Sequence, residues 1–560
     1  MKFFIVLISN ICITFIFSQS LTIPVEENRF QIDYDNNLIL IHFKNLEPYA
    51  DLTSYDSIKF ELGENTHFLT NPPSRFQFNS SYITKKDNHF FTLYFTQIPI
   101  ISITTDHTII DEEKVLATFS YISDTTFVQS NIGIEIRGGS SKAYPKKTYD
   151  IEFWEDNNGI ISKDVTFGNM RNDDDWILDA LYNEPLRIRS FISHKLWLDI
   201  HTPHYLNKEK KAKSGVDVEY VEVFMNNRYN GIYFLSEQID RKLLKLKDYE
   251  GEIKGELYKG INWGEATLFT SLPPFNNTYR QWGGYEIKYP KENHVTEWGN
   301  LYEFIDFVIN SSNEKYKTEL WEKFDYSNAQ DYFIFLNLLR AIDNTGKNIY
   351  LAKYSQSHPY FYVPWDLDGC FGMIWDGSFV DKTTDILSNG LYSRIHSLND
   401  NKYNYDIARR WSNLRKDLLD IDSLEKRFNT TFHYLKSNNV YEREEKVFED
   451  YTLDENNLNI TINWIYNRLD FLDLYYDKIL TTSTIFDKKN TLGVYPNPAS
   501  TQVFVNIKNL NSTYYSISNL LGTILQEGAL SQNNSINISS LLPGNYILKI
   551  EEKTVQLFVE

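Results

Sequence analysis

The segment at residues 341–369, AIDNTGKNIYLAKYSQSHPYFYVPWDLDG, constrains the fold more than any other part of the sequence. Two apolar runs, NIYLAKY and YFYVPW, flank the short polar turn SQSHP, and this pattern predicts a tight β-hairpin. A hairpin returns the chain to its starting point, so Asp343 and Asn348 come close to Asp366 and Asp368. Because carboxylates repel one another, this arrangement indicates a metal-bound nucleotide between them.

The spacing of these residues is typical of phosphoryl-transfer enzymes. Asp343 and Asn348 form a D-x4-N pair on a loop that follows an amphipathic helix pattern. In kinases this spacing lets the aspartate accept a hydroxyl proton while the asparagine reaches a metal ion. The DLDG sequence then stands where a kinase has D-F-G. A calcium site or a capped surface turn is the alternative, although no glutamate completes an EF-hand loop.

A second motif, IRGGSSKAYPKKTYDIEF, provides groups that can bind phosphate. Gly138 and Gly139 lie at a predicted turn, where their backbone amides can approach phosphate oxygens. Ser140 and Ser141 add two hydroxyl groups.

Two adjacent lysines follow this turn at the start of a predicted strand. Lys147 alternates with Tyr149, Ile151 and Phe153, so we expect it on the inward face, where it would bind an anion. Lys146 has the opposite phase and is expected in solvent. The alternative is an ordinary hairpin with a lysine that reaches out to water.

The N-terminal sequence and the composition limit the class of protein. Residues 1–18 within MKFFIVLISNICITFIFSQS have the plan of a secretory signal peptide, with a retained membrane anchor as the alternative. Its removal leaves one cysteine, Cys370, so no internal disulfide is expected. The net charge of −19 argues against nucleic-acid binding, and no later segment is apolar enough to span a membrane.

The apolar periodicity divides the rest of the chain into regions. Alternating patterns predict strands from residue 20 to about 240, interrupted by a helical pattern in NEPLRIRSFISHKLWLDI. The segment NNRYNG, with Asn230-Gly231 as its strongest signal, is predicted as a turn between two of the strands. After residue 298 the apolar spacing becomes helical. Beyond residue 490, short strands separated by Gly, Pro and Asn predict a small β-sandwich.

Four motifs occur in an order that resembles the spore coat protein H (CotH) kinase family: RGGSS, PKKTY, NGIYFLSEQID and PWDLD. The resemblance covers roughly residues 96–480. It implies an exported atypical protein kinase with a reduced, two-lobed kinase-like fold. It also implies ATP as the cofactor, together with Mg²⁺ or Mn²⁺.

The resemblance implies roles for individual residues. Asp343 would be the catalytic aspartate and Lys147 would bind the nucleotide phosphates. Asn348 and Asp366 would be metal ligands, with Asp368 close enough to assist. The residues expected at the kinase hinge, beside adenine, are Glu237, Gln238 and Ile239.

One segment departs from the family pattern. After Trp176 the family favours an Asp followed by an Arg-Asn pair, whereas this chain has Glu184, Arg189 and Ser190. Glutamate preserves the charge of aspartate, so we expect Glu184 or Arg189 to support the site. The serine at position 190 lacks the amide of the family's asparagine.

The tail, with VYPNPASTQVFV and LLPGNYILKIE, resembles the C-terminal sorting domain of type IX secretion, found in Bacteroidetes-type bacteria. This resemblance implies export by the type IX machinery, with release or attachment at the outer surface. An ordinary binding β-sandwich is the alternative.

Together these observations predict an α+β protein with five segments. They are a signal peptide (1–18), a β-rich region (19–95), a kinase-like domain (96–480), a linker (481–490) and a sorting β-sandwich (491–560). The leading hypothesis is a metal-dependent kinase that phosphorylates Ser or Thr of another exported protein. The alternative is a catalytically silent surface adhesion or scaffold protein on the same fold. A hydrolase is disfavoured because G-x-S-x-G and H-E-x-x-H motifs are absent from the sequence.

Overall fold

A computed structural model describes residues 19–291, 293–398, 401–490, 492–506, 514–530, 534–550 and 553–560. The predicted signal peptide, residues 1–18, lies outside the described residues. The described residues within Met1–Arg394 and Leu414–Asp470 form one compact unit, and those within Ile395–Asn413 and Phe471–Glu560 form a second.

The first unit begins with a seven-stranded sheet. Its strands are β1 (Ser20–Val25), β2 (Phe30–Asp33), β3 (Leu38–His42), β4 (Ser57–Leu62), β5 (Asn65–Leu69), β6 (Ser81–Lys86) and β7 (His89–Thr96). Their order across the sheet is β1-β4-β5-β6-β7-β3-β2. Alternate residues of β4 are buried, as the sequence pattern predicts for a sheet with one face on a core.

A closed seven-stranded barrel follows. The elements of this region are β8 (Ile100–Thr104), β9 (Val115–Ile122), β10 (Phe127–Arg137), β11 (Thr148–Trp154), β12 (Val165–Thr166), β13 (Asn172–Asp173), β14 (Asp175–Asp179), α1 (Arg189–Ile200), β15 (Val218–Met225) and β16 (Arg228–Glu237). The barrel order is β10-β11-β14-β16-β15-β8-β9, and β12 pairs with β13 outside it. Alternate aliphatic and aromatic side chains, such as Ile134, Phe153 and Trp176, fill one buried core.

The turn between β15 and β16 lies at the start of the predicted turn segment NNRYNG. Asn226 and Asn227 both adopt positive φ angles, of 49° and 61°, and they connect the two strands. The turn is therefore confirmed within the predicted NNRYNG segment but not at its strongest signal, because Asn230 and Gly231 lie inside β16. Gly231 is required there for another reason: a Cβ atom would lie 2.0 Å from Oε1 of Glu444.

The third part of this unit combines a second sheet with helices. Its elements are α2 (Arg241–Leu244), β17 (Glu256–Gly260), α3 (Glu265–Leu268), β18 (Gln281–Trp282), β19 (Tyr285–Tyr289), α4 (Gly299–Asn310), α5 (Asn313–Lys323), α6 (Tyr326–Leu339), β20 (Ile349–Lys353) and β21 (Tyr360–Pro364). The sheet order is β18-β19-β17-β20-β21, so the predicted hairpin, β20 and β21, forms one edge of the sheet.

Helices dominate the segment between the hairpin and residue 490. They are α7 (Gly390–Ser397), α8 (Asn401–Leu414), α9 (Ile421–Ser437), α10 (Val440–Val447) and α11 (Asn456–Asn490). Helix α10 packs against β16 of the barrel. Helix α11 extends over residues 481–490, which the sequence predicts as a linker.

The C-terminal strands form two small sheets. The strands are β22 (Gly493–Tyr495), β23 (Gln502–Asn506), β24 (Tyr514–Asn519), β25 (Ile524–Ala529), β26 (Ser535–Asn537), β27 (Gly544–Ile550) and β28 (Lys553–Val559). One sheet has the order β22-β23-β26 and the other β25-β24-β27-β28. Val503, Ile517 and Leu548 belong to one buried cluster between them.

The predicted fold class is confirmed: the protein is α+β, with β-rich N-terminal sheets, a mixed central region and small C-terminal sheets.

In the part of the chain that the structure describes, no helix is both long enough and apolar enough to cross a bilayer. Cys370 is a buried free thiol.

Candidate functional site

A cleft of about 380 Å³ lies between the barrel and the second sheet. The barrel side contributes Arg137, Gly138, Gly139, Ser141, Thr148, Ile177 and Asp179. The opposite side contributes Lys259, Ile261, Lys347, Asn348, Trp365, Asp366 and Asp368. The cleft therefore brings the glycine turn and the predicted metal ligands together, although more than 200 residues separate them in sequence.

The β20–β21 hairpin brings the two ends of the acidic segment together, as predicted. Ile349 pairs with Pro364, and the backbone N–H of Trp365 donates to the carbonyl of Asn348 at 3.1 Å. Nδ2 of Asn344 donates to the carbonyl oxygens of Asn348 (2.6 Å) and Trp365 (2.8 Å). This buried amide, between the two residues of the D-x4-N pair, fixes the loop to the strand that delivers Asp366.

Asp366 and Asp368 project into the cleft beside several charges. Burial raises the pKa of Asp366; Lys259 and Lys347 oppose this shift, whereas Asp343 adds to it. Burial raises the pKa of Asp368 further, and the charges of Asp366 and Asp179 act in the same direction. Asp366 also holds a φ of 55°, a left-handed conformation that is costly for a residue with a side chain. The strain and the crowded charge are typical of a functional site.

Asp343 lies at the edge of this group. It begins a short 3₁₀ turn directly after α6, and its Oδ2 atom is 3.5 Å from Nζ of Lys347, which lines the cleft. The charge of Asp343 contributes to the raised pKa of Asp366, so the two carboxylates lie near each other. Asp343 itself is not among the residues that line the cleft. Its ion pair with Lys347, which does line the cleft, connects it to the site.

The donor set in the cleft fits a divalent cation that also binds phosphate oxygens. The carboxamide of Asn348 makes no hydrogen bond to any described residue, and it lines the cleft together with Asp366 and Asp368. Mg²⁺ commonly takes one or two protein carboxylates, with the remaining ligands from water and phosphate. A cation there would offset both the burial and the repulsion between carboxylates that raise the pKa of these aspartates.

A second acidic group lies outside the cleft. Carboxylate oxygens of Asp164, Asp173 and Asp174 lie within 4.8 Å of one another, close enough to hold a metal ion. Lys242 already neutralises part of this group, since its Nζ atom is 2.9 Å from Asp173 and 2.5 Å from Asp174. Arg171 pairs with Asp173 at 2.6 Å. Cations of the protein itself thus balance most of the negative charge of this acidic group.

The glycine turn forms the barrel side of the cleft. Gly138 has a φ of 122°, which only glycine adopts readily, and a Cβ atom on Gly139 would meet nothing within 4 Å. Gly139 therefore faces open space in the cleft, and Ser141 lines it as well. Ser140 begins the 3₁₀ turn that follows, and its side chain lies outside the described part of the structure.

The two lysines after this turn differ in their burial: Lys146 is buried and Lys147 is half-buried. Lys146 is only 1% exposed, and its Nζ atom is 2.8 Å from Oε1 of Glu444, so the expectation that it is solvated is wrong. Lys147 donates to the carbonyl of Lys142 at 2.6 Å and is outside the described lining of the cleft. Strand β11 begins only at Thr148, so its alternation does not extend back to the lysines.

The predicted hinge residues are also outside the described lining of the cleft. Glu237 is buried and pairs with Lys213 at 2.6 Å. Gln238 donates to the carboxylate of Asp150 at 3.1 Å, and Ile239 is buried. Asp150 in turn pairs with a cleft residue, Arg137, so this segment is connected to the cleft through one ion pair.

Glu184 and Arg189, which depart from the family pattern, support the cleft wall. Glu184 lines the cleft, accepts hydrogen bonds from backbone amides at the start of α1, and pairs with Arg189. Ser190 also lines the cleft. The expected supporting role of Glu184 and Arg189 agrees with these contacts.

Besides Lys347 of the D-x4-N loop, the sequence reasoning missed three charged residues of the cleft: Arg137, Asp179 and Lys259. Asp179 ends β14, and burial raises its pKa to about 6. Arg137 directly precedes the glycine turn, and its guanidinium lies 5.4 Å from the centre of the Trp365 ring. A signal was present in each case, because a charge interrupts or ends an apolar strand beside a turn.

Comparisons with known proteins identify two regions of the chain. Residues 134–472 match the family described as CotH kinase protein, and residues 493–559 match the secretion system C-terminal sorting domain. No curated protein matches the chain. The sorting domain, of the type IX kind, indicates a secreted or cell-surface protein that interacts with the secretion machinery.

Proposed function

Because the chain belongs to the CotH kinase protein family, we propose that it is an exported kinase that transfers the γ-phosphoryl group of ATP to Ser or Thr hydroxyls of another exported protein. The single observation that carries the proposal is the cleft in which a glycine turn faces Asn348, Asp366 and Asp368. Phosphoryl transfer needs mainly positioned charges, and the cleft provides them.

The proposed roles follow from chemistry and position. Asp343 accepts the proton of the attacking hydroxyl, whose oxygen forms the new bond to phosphorus as ADP leaves. Asn348, Asp366 and Asp368 hold Mg²⁺ or Mn²⁺, which neutralises charge on the phosphates when bound. Asn344 keeps the loop and the hairpin in register, so that these side chains stay close together.

The acceptor class follows from localisation. A secreted or cell-surface protein meets other exported proteins after translocation, and the sorting domain implies this route. Exposed Ser and Thr side chains of such proteins are the substrates that we propose.

Transfer of labelled phosphate tests the proposal. The full chain is incubated with γ-labelled ATP, Mg²⁺ or Mn²⁺ and the exported protein fraction. We expect Asp343→Ala to lower the transfer rate at least a hundredfold, because it removes the general base. Asp381→Ala, which alters an exposed aspartate, should retain the rate.

Two results would contradict the proposal. Equal transfer by wild type and Asp343→Ala would refute the catalytic assignment. If the wild type neither transferred phosphate nor gained thermal stability from ATP with Mg²⁺, the silent surface-protein alternative would be favoured. A bound nucleotide at a hundred times its Kd should stabilise the fold by about 2.7 kcal/mol.

A further inference from the structure

One cation in the cleft has no counterion in contact with it. Lys259 lines the cleft, and it makes no hydrogen bond or ion pair to any residue that the structure describes. Lys347, by comparison, lies 3.5 Å from Asp343, and Arg137 lies 2.8 Å from Asp150. A partly buried ammonium group with no counterion in contact favours the binding of an anion.

The position of Lys259 is fixed by the second sheet. It pairs with Tyr350 of β20 and with Glu286 of β19, so its backbone is held on both sides. The next residue, Gly260, accepts a hydrogen bond at 3.0 Å from the backbone of Asn348. Strand β17 therefore holds Lys259 beside the loop that carries the proposed metal ligands.

Arg137 faces the same region from the barrel. Its guanidinium is anchored by Asp150 and lies over the ring of Trp365, so its orientation is constrained. The charge of Arg137 lowers the pKa of Lys259, and both cations lower the pKa of Asp366. The three groups therefore lie near one another. Burial lowers the pKa of Lys259 to about 8, and the charge of Arg137 contributes to this shift. An anion between the two cations would remove their repulsion.

The glycine turn leaves space for that anion. Gly138 and Gly139 directly follow Arg137, and the Cβ position of Gly139 opens onto empty space. The glycine turn and both cations thus line the same cleft as Asp366 and Asp368. Cations for the phosphates and carboxylates for a metal, in one cleft, match a phosphate chain with a divalent cation bound to it.

We propose that Lys259 and Arg137 form the phosphate subsite of the cleft, in place of Lys147. The proposal rests on the proposed kinase function and identifies which cations bind the nucleotide. Lys147 is satisfied within its own turn by the carbonyl of Lys142, and its ammonium is outside the described lining of the cleft.

Titration calorimetry on the full chain tests this assignment. The probes are Mg²⁺ with ATP, Mg²⁺ with inorganic tripolyphosphate, and adenosine alone. We expect Lys259→Met to weaken the binding of ATP and tripolyphosphate at least tenfold and to leave adenosine binding unchanged. Lys147→Met, the matched control, should bind all three probes as the wild type does. Lys259→Arg should retain most of the affinity because it keeps the charge.

The outcomes separate this proposal from the kinase proposal. If tripolyphosphate binding depends on Lys259 but no phosphate is transferred, the subsite is supported and the kinase function is refuted. If Lys147→Met loses binding while a folded Lys259→Met keeps it, the subsite is overturned. Failure of the wild type to bind ATP and tripolyphosphate would overturn it as well. Thermal unfolding of each variant establishes that it is folded.

Discussion

At the scale of single residues, Gly231 shows how a distant contact determines a choice that local sequence does not explain. It lies inside β16 with a φ of 88°, and a Cβ atom there would lie 2.0 Å from Oε1 of Glu444 and 3.0 Å from Nζ of Lys146. Both neighbours are fully buried and ion-paired. Neither side chain can move without breaking the ion pair and leaving a buried charge unpaired. The position therefore excludes a side chain.

We predict that Gly231→Ala destabilises the protein much more than Gly251→Ala. Gly251 has a similar φ of 84°, but a Cβ atom on it would meet nothing within 4 Å. Gly251→Ala should therefore cost about 1 kcal/mol from backbone conformation alone, whereas Gly231→Ala should cost at least about 3 kcal/mol. Urea denaturation measures both values, and equal values would refute the contact with Glu444.

The two lysines show why the sequence could not predict the residues of the cleft completely. Alternation within β11 correctly predicts that Tyr149, Ile151 and Phe153 are buried. It does not extend to Lys146 and Lys147, because the strand begins after them. The burial of Lys146 depends on Glu444, which is 298 residues away in sequence, and no local pattern reports such a partner.

At the scale of secondary structure elements, α10 connects the C-terminal helices to one wall of the cleft. Glu444 on this helix binds Lys146 through Oε1 and Arg187 through Oε2, at 2.8 and 2.9 Å. Arg187 donates in turn to the carbonyl oxygens of Leu181, Tyr182 and Glu184, which line the cleft. One carboxylate of α10 therefore balances the charge of Arg187, which holds the loop at residues 181–184 in place.

We predict that Glu444→Gln lowers the free energy of unfolding by about 3–5 kcal/mol. The substitution leaves Lys146 and Arg187 buried without a counter-charge, and an unpaired buried charge is costly. Urea denaturation of the full chain measures the loss. Glu449→Gln, an exposed position just after α10, should change stability by less than about 0.5 kcal/mol. A loss below about 1 kcal/mol for Glu444→Gln would contradict the network.

The elements of the hairpin were predictable because the signals are local. Apolar alternation and a polar turn predict β20 and β21, and the hairpin brings Asn348 and Asp366 to one end. Lys259 was not predictable in this way. It reaches the cleft because β17, about 90 residues earlier, pairs with β20, and strand order of this kind is not encoded in either strand alone.

At the scale of the whole molecule, buried histidines make stability depend on pH. His67 is fully buried in the N-terminal sheet and packs on the ring of Phe91. Burial lowers its pKa from 6.5 to about 4, and the charge of Lys86 acts in the same direction. Between these values the unfolded chain binds more protons than the folded one, so the free energy of unfolding falls as the pH falls.

We predict that the wild type loses about 2 kcal/mol more than His67→Phe between pH 7.5 and pH 5. The phenylalanine keeps the ring but cannot bind a proton. Urea denaturation at the two pH values, followed by a probe of the N-terminal sheet, measures the difference. His89→Phe, at an exposed position of the same sheet, should lose as much as the wild type. If His67→Phe does too, His67 is not the titrating group.

The sorting domain makes localisation testable independently of catalysis. Deletion of residues 493–559 removes the region that matches the secretion sorting domain. We expect the truncated chain to accumulate in the periplasm, whereas the full chain is released or attached at the outer surface. Fractionation and immunoblotting measure the distribution. Export of the truncated chain at the wild-type level would contradict the assignment.

The central claim is that one cleft binds the metal and the nucleotide together. Crystals of the full chain with Mn²⁺ and a non-hydrolysable ATP analogue test it through the anomalous scattering of manganese. We predict a manganese peak about 2–2.5 Å from the carboxylate of Asp366, with the phosphate chain beside Lys259. A peak at Asp164, Asp173 and Asp174, with the nucleotide outside the cleft, would contradict the claim.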